Sequence, residues 1–152
     1  MHIRYTLTPA DHLAWFDYYT LHVVRPWWSR LPVIGRVLLR RRREMFARAI
    51  CAAANATALG ERSIELSDVG VREHSSTFDF SSPWQDLAFA TLSTEHLFFA
   101  HASMNAHIIP LRFFVSEDGR DAFVAFTTSH APSFRDHRKA QPGCRKQLRR
   151  ST

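Results

Sequence analysis

The sequence predicts an α+β fold: an antiparallel sheet or partial barrel closed by a C-terminal helix, with further helices near the N-terminus. Three observations predict it. Apolar residues follow helical spacing in two stretches between residues 9 and 59. From Ser63 onward the period changes to two, and turn residues cut that region into short strands. After Ser116 the helical spacing returns once. A chain of 152 residues, 45% hydrophobic and with twelve Phe and four Trp, has enough apolar side chain for one real core. The expected organisation is one domain over residues 1–130 followed by a disordered basic tail over 131–152.

Taken in order, residues IRYTLT alternate branched or aromatic with polar side chains and suit a short strand. Thr8-Pro9-Ala10-Asp11 has the form of a helix start, with Thr8 as cap, Pro9 at the first position and Asp11 where a capping-box carboxylate belongs. Leu13, Phe16, Thr20 and Val23 continue that helix until Pro26. A second helix is expected over about residues 33–59, ended by Gly60. Ile34, Val37, Leu38, Met45 and Ala49 are expected to share one of its faces. Ile64 and Leu66 then alternate with polar neighbours, and Asp68-Val69-Gly70 turns the chain. Phe78 and Phe80 flank Asp79 in a strand closed by Pro83. LAFATLS and LFFAHA form a hairpin about Thr94-Glu95, and Ser103-Met104-Asn105 leads into AHIIPLRFF. Ser116-Glu117-Asp118 opens the last helix, with Ala122, Phe123 and Phe126 on one face and Ala131-Pro132 at its end.

Charge is segregated. Residues 25–48 carry eight arginines against Glu44, and residues 135–152 carry seven basic residues against Asp136. Between them, residues 49–134 hold four arginines and ten carboxylates. Such blocks contact phosphate, lipid headgroups or solvent. Within RVLLRRRREMF, four successive arginines at about 100° each sweep roughly 300° of a helix. They cannot all avoid the apolar stripe, and Arg41, seven residues after Ile34, falls inside it. An arginine that snorkels at a boundary tolerates that position.

Several function classes lack support. No stretch reaches the roughly 18 uninterrupted apolar residues of a spanning helix. Cys51 and Cys144 make neither a disulfide framework nor a zinc spacing, which fits a reducing, cytoplasmic compartment. There is no His-Glu-x-x-His, no Gly-x-Ser-x-Gly and no phosphate-cradling glycine loop. His96, His101 and His107 fall on adjacent predicted strands without a distinctive ligand spacing and read as ordinary surface or half-buried residues. No catalytic residue, cofactor or metal is therefore expected.

Trp84-x-Asp86-Leu87, two strands, and then Ile108-Ile109-Pro110-x-Arg112-Phe113 before an acidic-started helix form a pattern that resembles the C-terminal domain of YcxB-like bacterial proteins. Leu7, Thr8, Phe16 and Tyr18 stand where that family places its opening strand, Leu-Thr pair and aromatic helix. The resemblance covers roughly residues 1–130, most closely 61–128. It implies a β-rich domain of pleckstrin-homology-like form and a setting at the inner membrane. Family members carry a pair of apolar transmembrane segments after the first helix, whereas this chain has PWWSRLPVIGRVLLRRRREMF, too short and too charged to cross twice.

The expected function is a non-enzymatic cytoplasmic module that lies peripherally on an anionic membrane surface through residues 26–50. Trp27, Trp28, Arg36, Arg40, Arg41, Arg42 and Arg43 would make the contact. The alternative is a nucleic-acid-binding or protein-interaction module using the two basic segments. Trp84 is expected to plug one end of the barrel, Pro110 to sit at an edge or bulge, and Arg112 to pair with Asp86 or a carboxylate in 117–121.

Overall fold

The computed structural model describes residues 1–24, 26, 33–52, 59–103 and 105–138. Strand β1 (His2–Leu7) is followed by helix α1 (Pro9–Tyr18), which continues as a wider π-type turn over Tyr19–Val24, and by helix α2 (Ile34–Ala52). Strands β2 (Gly60–Leu66), β3 (Gly70–Ser75) and β4 (Asp79–Pro83) come next. A 3₁₀ turn at Trp84–Asp86 leads into β5 (Leu87–Leu92), β6 (His96–His101) and β7 (Ala106–Pro110). A second 3₁₀ turn at Leu111–Phe113, helix α3 (Glu117–His130) and the short β8 (Phe134–Asp136) complete the fold.

The fold is α+β, as expected, but among the described residues the strands make two sheets and no closed barrel. One sheet runs β1-β2-β3-β4, the other β7-β6-β5-β8. All pairings are antiparallel except β5 with β8. The second sheet begins after Pro83, which has no amide hydrogen for a ladder, and Trp84–Asp86, which breaks the strand path. The two sheets share one apolar core. Tyr5, Ile64, Leu66 and Val71 come from the first sheet, Leu92, Phe98, Phe99 and Ile109 from the second, Trp15 and Tyr18 from α1, and Phe123 from α3. In α3, Ser116 accepts a hydrogen bond from the Gly119 amide and caps the helix. Its inward residues are Phe123 and Thr127, with Phe126 half-buried, whereas Ala122 faces solvent, contrary to expectation.

Three further expectations are corrected. The ordered chain does not end at 130, because β8 pairs in parallel with the outer edge of β5. The Ala90 amide donates to the Ser133 carbonyl at 2.7 Å and the His137 amide to the Leu92 carbonyl at 2.8 Å. An open strand edge recruits even a polar segment; residues 139–152 lie outside the described residues. Arg112 pairs neither with Asp86 nor with the start of α3, but with Asp11 at the other end of the chain. Finally, α2 packs with the face bearing Gly35, Leu39, Phe46 and Ile50, not the Val37/Leu38/Met45 face. Stacking of Phe46 on Phe16 at 4.6 Å and the Arg43–Asp17 ion pair at 3.2 Å select that orientation. The side chain of Ile34 lies outside the described residues.

Trp84 plugs no barrel but packs into the shared core, whereas Pro110 lies on an edge strand, as expected. Trp84 is buried, donates its indole N–H to the Ser67 carbonyl at 2.8 Å, and packs against Phe99 and Phe126. Pro110 ends β7, an edge strand, where no ladder donor is needed.

Candidate functional site

Two regions carry more chemistry than packing requires. The first is the outer face of α2. Val37, Leu38 and Met45 are 50%, 37% and 70% exposed, although burial is the ordinary fate of such side chains. At about 100° per residue, Arg41 falls between Val37 and Met45 on that same face. Arg36, Arg40, Arg41, Arg42 and Arg43 are all exposed. They are not equivalent, however: Arg43 is turned back onto Asp17 and Arg40 is bonded to Glu44 at 2.9 Å. Asp17, drawn towards the interior beneath α2, has its carboxyl pushed up by burial, with Arg43 opposing the shift. Trp27 and Trp28 lie outside the described residues. Among the described residues no helix is long and apolar enough to cross a membrane.

The second region joins His101 and His107, expected to be ordinary surface or half-buried residues, to Glu73 and Ser82, which the sequence did not single out. Glu73 in β3 and Ser82 in β4 are both buried and point inward. Val71 pairs with Ser82 and Glu73 with Phe80, so Glu73 and Ser82 are diagonal neighbours on one face. Across the interior, Phe99 pairs with His107, which makes His101 the diagonal neighbour of His107. Each sheet thus contributes one diagonal polar pair, and the two pairs face each other.

Glu73 is fully engaged. Oε1 accepts from the Tyr5 hydroxyl at 3.0 Å and from Arg62 Nη1 at 2.6 Å, and Oε2 accepts from His107 Nδ1 at 2.5 Å. Burial alone would push its carboxyl up. The hydrogen bond from His107 and the Arg62 charge outweigh burial and hold it below the usual carboxylate range. The Tyr5 phenol is pushed strongly up, by burial first and by the Glu73 charge second. Beyond this carboxylate, His107 Nε2 stands 3.2 Å from Ser82 Oγ and 3.4 Å from His101 Nε2, and His101 Nε2 is 3.3 Å from Ser82 Oγ. His101 is held below its ordinary value by burial and by its neighbour His107. Both imidazoles, with Arg62, Glu73, Phe16 and Phe46, line a cavity of about 660 Å³.

The Ser82–His107–Glu73 order is that of a hydrolytic triad, but Ser82 is only 2% exposed and does not line the cavity. A nucleophile has to reach its substrate, so Ser82 lacks the access that acyl transfer requires. One signal of this region was present in the sequence. In Val71-Arg72-Glu73-His74-Ser75 the alternation puts Glu73 on the same face as Val71, and a carboxylate on an inward face needs buried partners.

No protein-family model, curated protein or solved structure matches the chain.

Proposed function

We infer that this chain is a non-enzymatic, YcxB-like module of pleckstrin-homology-like form that rests peripherally on an anionic membrane surface through α2. One observation carries the reading: α2 turns Val37, Leu38 and Met45 outward with Arg41 among them, while its opposite face is packed on α1. An apolar face with guanidinium groups in and around it suits the boundary between headgroups and acyl chains. Arg36 and Arg41 extend the positive field there, and Trp27 and Trp28 precede the helix in the sequence as interfacial anchors.

Each basic residue at such a surface contributes about 1 kcal/mol. Changing Arg36 and Arg41 together to Gln should weaken binding to phosphatidylglycerol vesicles about 30-fold, with little change in urea stability. Flotation of the full chain with anionic and with neutral vesicles measures this. Binding only to anionic vesicles, lost in the double variant, is the expected result. Equal flotation of the variant, or retention by duplex DNA in place of lipid, would overturn it.

A further inference from the structure

We propose that His101 and His107, with the Ser82 hydroxyl, form a site for a divalent metal ion of the zinc class beside the cavity that both sheets line together with α1 and α2. The proposal is independent of membrane binding and rests on geometry, hydrogen-bond bookkeeping and access.

The three donor atoms form a nearly equilateral triangle with edges of 3.2, 3.3 and 3.4 Å. A tetrahedral ion with bonds of about 2.0–2.1 Å spaces its donors about 3.3–3.4 Å apart. The triangle is therefore one face of such a coordination shell. Imidazole nitrogen with a hard oxygen donor suits zinc and its neighbours better than calcium or magnesium, which take oxygen alone.

The protons point the same way. Glu73, ionised, can only accept, so His107 Nδ1 carries the hydrogen of that bond, and Nε2 is the nitrogen left to meet a cation. His101 turns Nε2 to Ser82 and His107, which leaves Nδ1 as the ring nitrogen facing away from them. With the hydrogen of each neutral ring on Nδ1, two Nε2 lone pairs converge on one serine hydroxyl, whose single proton satisfies one of them. A cation satisfies both at once.

The surroundings are those of a prepared site. Glu73 orients His107 through its far nitrogen, and Arg62 and Tyr5 fix Glu73 in turn. This carboxylate–histidine arrangement raises ligand basicity and locks the tautomer. Both rings line the cavity, so an ion has a route in and a remaining coordination position for water or an anionic ligand. Among the described residues no group of three His, Cys, Asp or Glu side chains stands at metal-binding distance. The site thus depends on two imidazoles and a hydroxyl, and loss of either imidazole should abolish it.

The test uses the full chain stripped with chelator and titrated with Zn²⁺, then with Co²⁺ as a spectroscopic probe. One equivalent should bind, and Co²⁺ should give the intense visible bands of a four-coordinate site. His101→Ala should lose that equivalent, and Glu73→Gln should weaken it about 10–100-fold. His22→Ala and His137→Ala, which alter a second histidine pair, should leave it unchanged. Should His101→Ala fail to fold, acylation of wild-type histidines read by mass spectrometry replaces it: Zn²⁺ should protect His101. Absence of stoichiometric binding, retention in a folded His101→Ala, or unprotected His101 would each overturn the proposal.

Discussion

Arg112 Nη1 and Nη2 grip the two carboxylate oxygens of Asp11 at 2.7 and 2.8 Å, across 101 residues of chain. The same carboxylate accepts from His96 Nε2 at 2.7 Å and from the Thr8 amide and hydroxyl at 2.8 Å each. A residue that begins as the capping carboxylate of α1 thereby joins the helix to the start of β6 and to the turn after β7. The capping role alone could have been met by an exposed side chain. Its burial makes it a tertiary joint.

Asp11→Asn should therefore lower urea stability at pH 7 by about 2–4 kcal/mol, since it leaves Arg112 and His96 facing a neutral amide. Burial pushes the Asp11 carboxyl up, but the bonds from Arg112, His96 and Thr8 outweigh it and hold the carboxyl well below its ordinary range. A depressed carboxyl stabilises the fold above the unfolded value of about 3.9 and loses that contribution as pH falls through and below it. The wild type should lose more stability between pH 6 and pH 2 than Asp11→Asn does. Equal acid losses would show that the carboxylate is not the acid-sensitive joint.

Gly70 should not tolerate alanine. It pairs with Pro83 where β3 and β4 approach so closely that a Cβ would overlap the Ser82 carbonyl oxygen and the Pro83 backbone. Backbone has no flexible end to move aside, so Gly70→Ala should cost about 2 kcal/mol or more. The shift of the urea midpoint measures it. An unchanged midpoint would mean that the strands part without penalty.

Truncation separates the strand from the tail. Ending the chain after residue 130 removes β8 with its ladder to β5, the two backbone bonds that flank the ladder, and the Thr91 hydroxyl bond to the Arg135 carbonyl. At about 1 kcal/mol for each bond, the loss should be at least about 3 kcal/mol. Ending after residue 138 keeps these contacts and should cost far less. Equal stability of the two truncations would show that β8 contributes nothing.

Asp17 offers a prediction of opposite sign. Its Oδ1 is buried with no hydrogen-bond partner among the described residues, and Arg43 engages only Oδ2. Its raised carboxyl means that ionisation opposes folding above the folded value and that this penalty is relieved as pH falls. Asp17→Asn should be neutral or slightly stabilising at pH 7, by up to about 1 kcal/mol, in thermal melts. A clear loss would mean that the Arg43 pair outweighs the buried charge.

Much of the fold was legible because its signals are local. The capping residues at Thr8 and Ser116, the period change at Ser63 and the hairpin turn about Thr94 each act within a few residues. The errors concern partner choice. Spacing put Val37, Leu38 and Met45 on one face of α2, yet which face meets the core is decided by Phe16 and Asp17 on another helix. For the same reason Arg112 could be assigned a carboxylate partner but not the correct one.

His101 and His107 show the division most clearly. In the chain they are six residues apart on two strands, with no motif spacing. Antiparallel register makes them diagonal neighbours, and packing of the other sheet sets Ser82 and Glu73 against them. By itself the sequence determined the α+β class, the approximate helix positions, the strands other than β8 and the segregation of charge, because propensity, periodicity and formal charge are properties of neighbouring residues. Only the tertiary structure decided that two sheets form in place of a barrel, which face of α2 stays outside, and which buried donors converge on the cavity. Those outcomes depend on register and packing between segments far apart in the chain, where no local preference reaches.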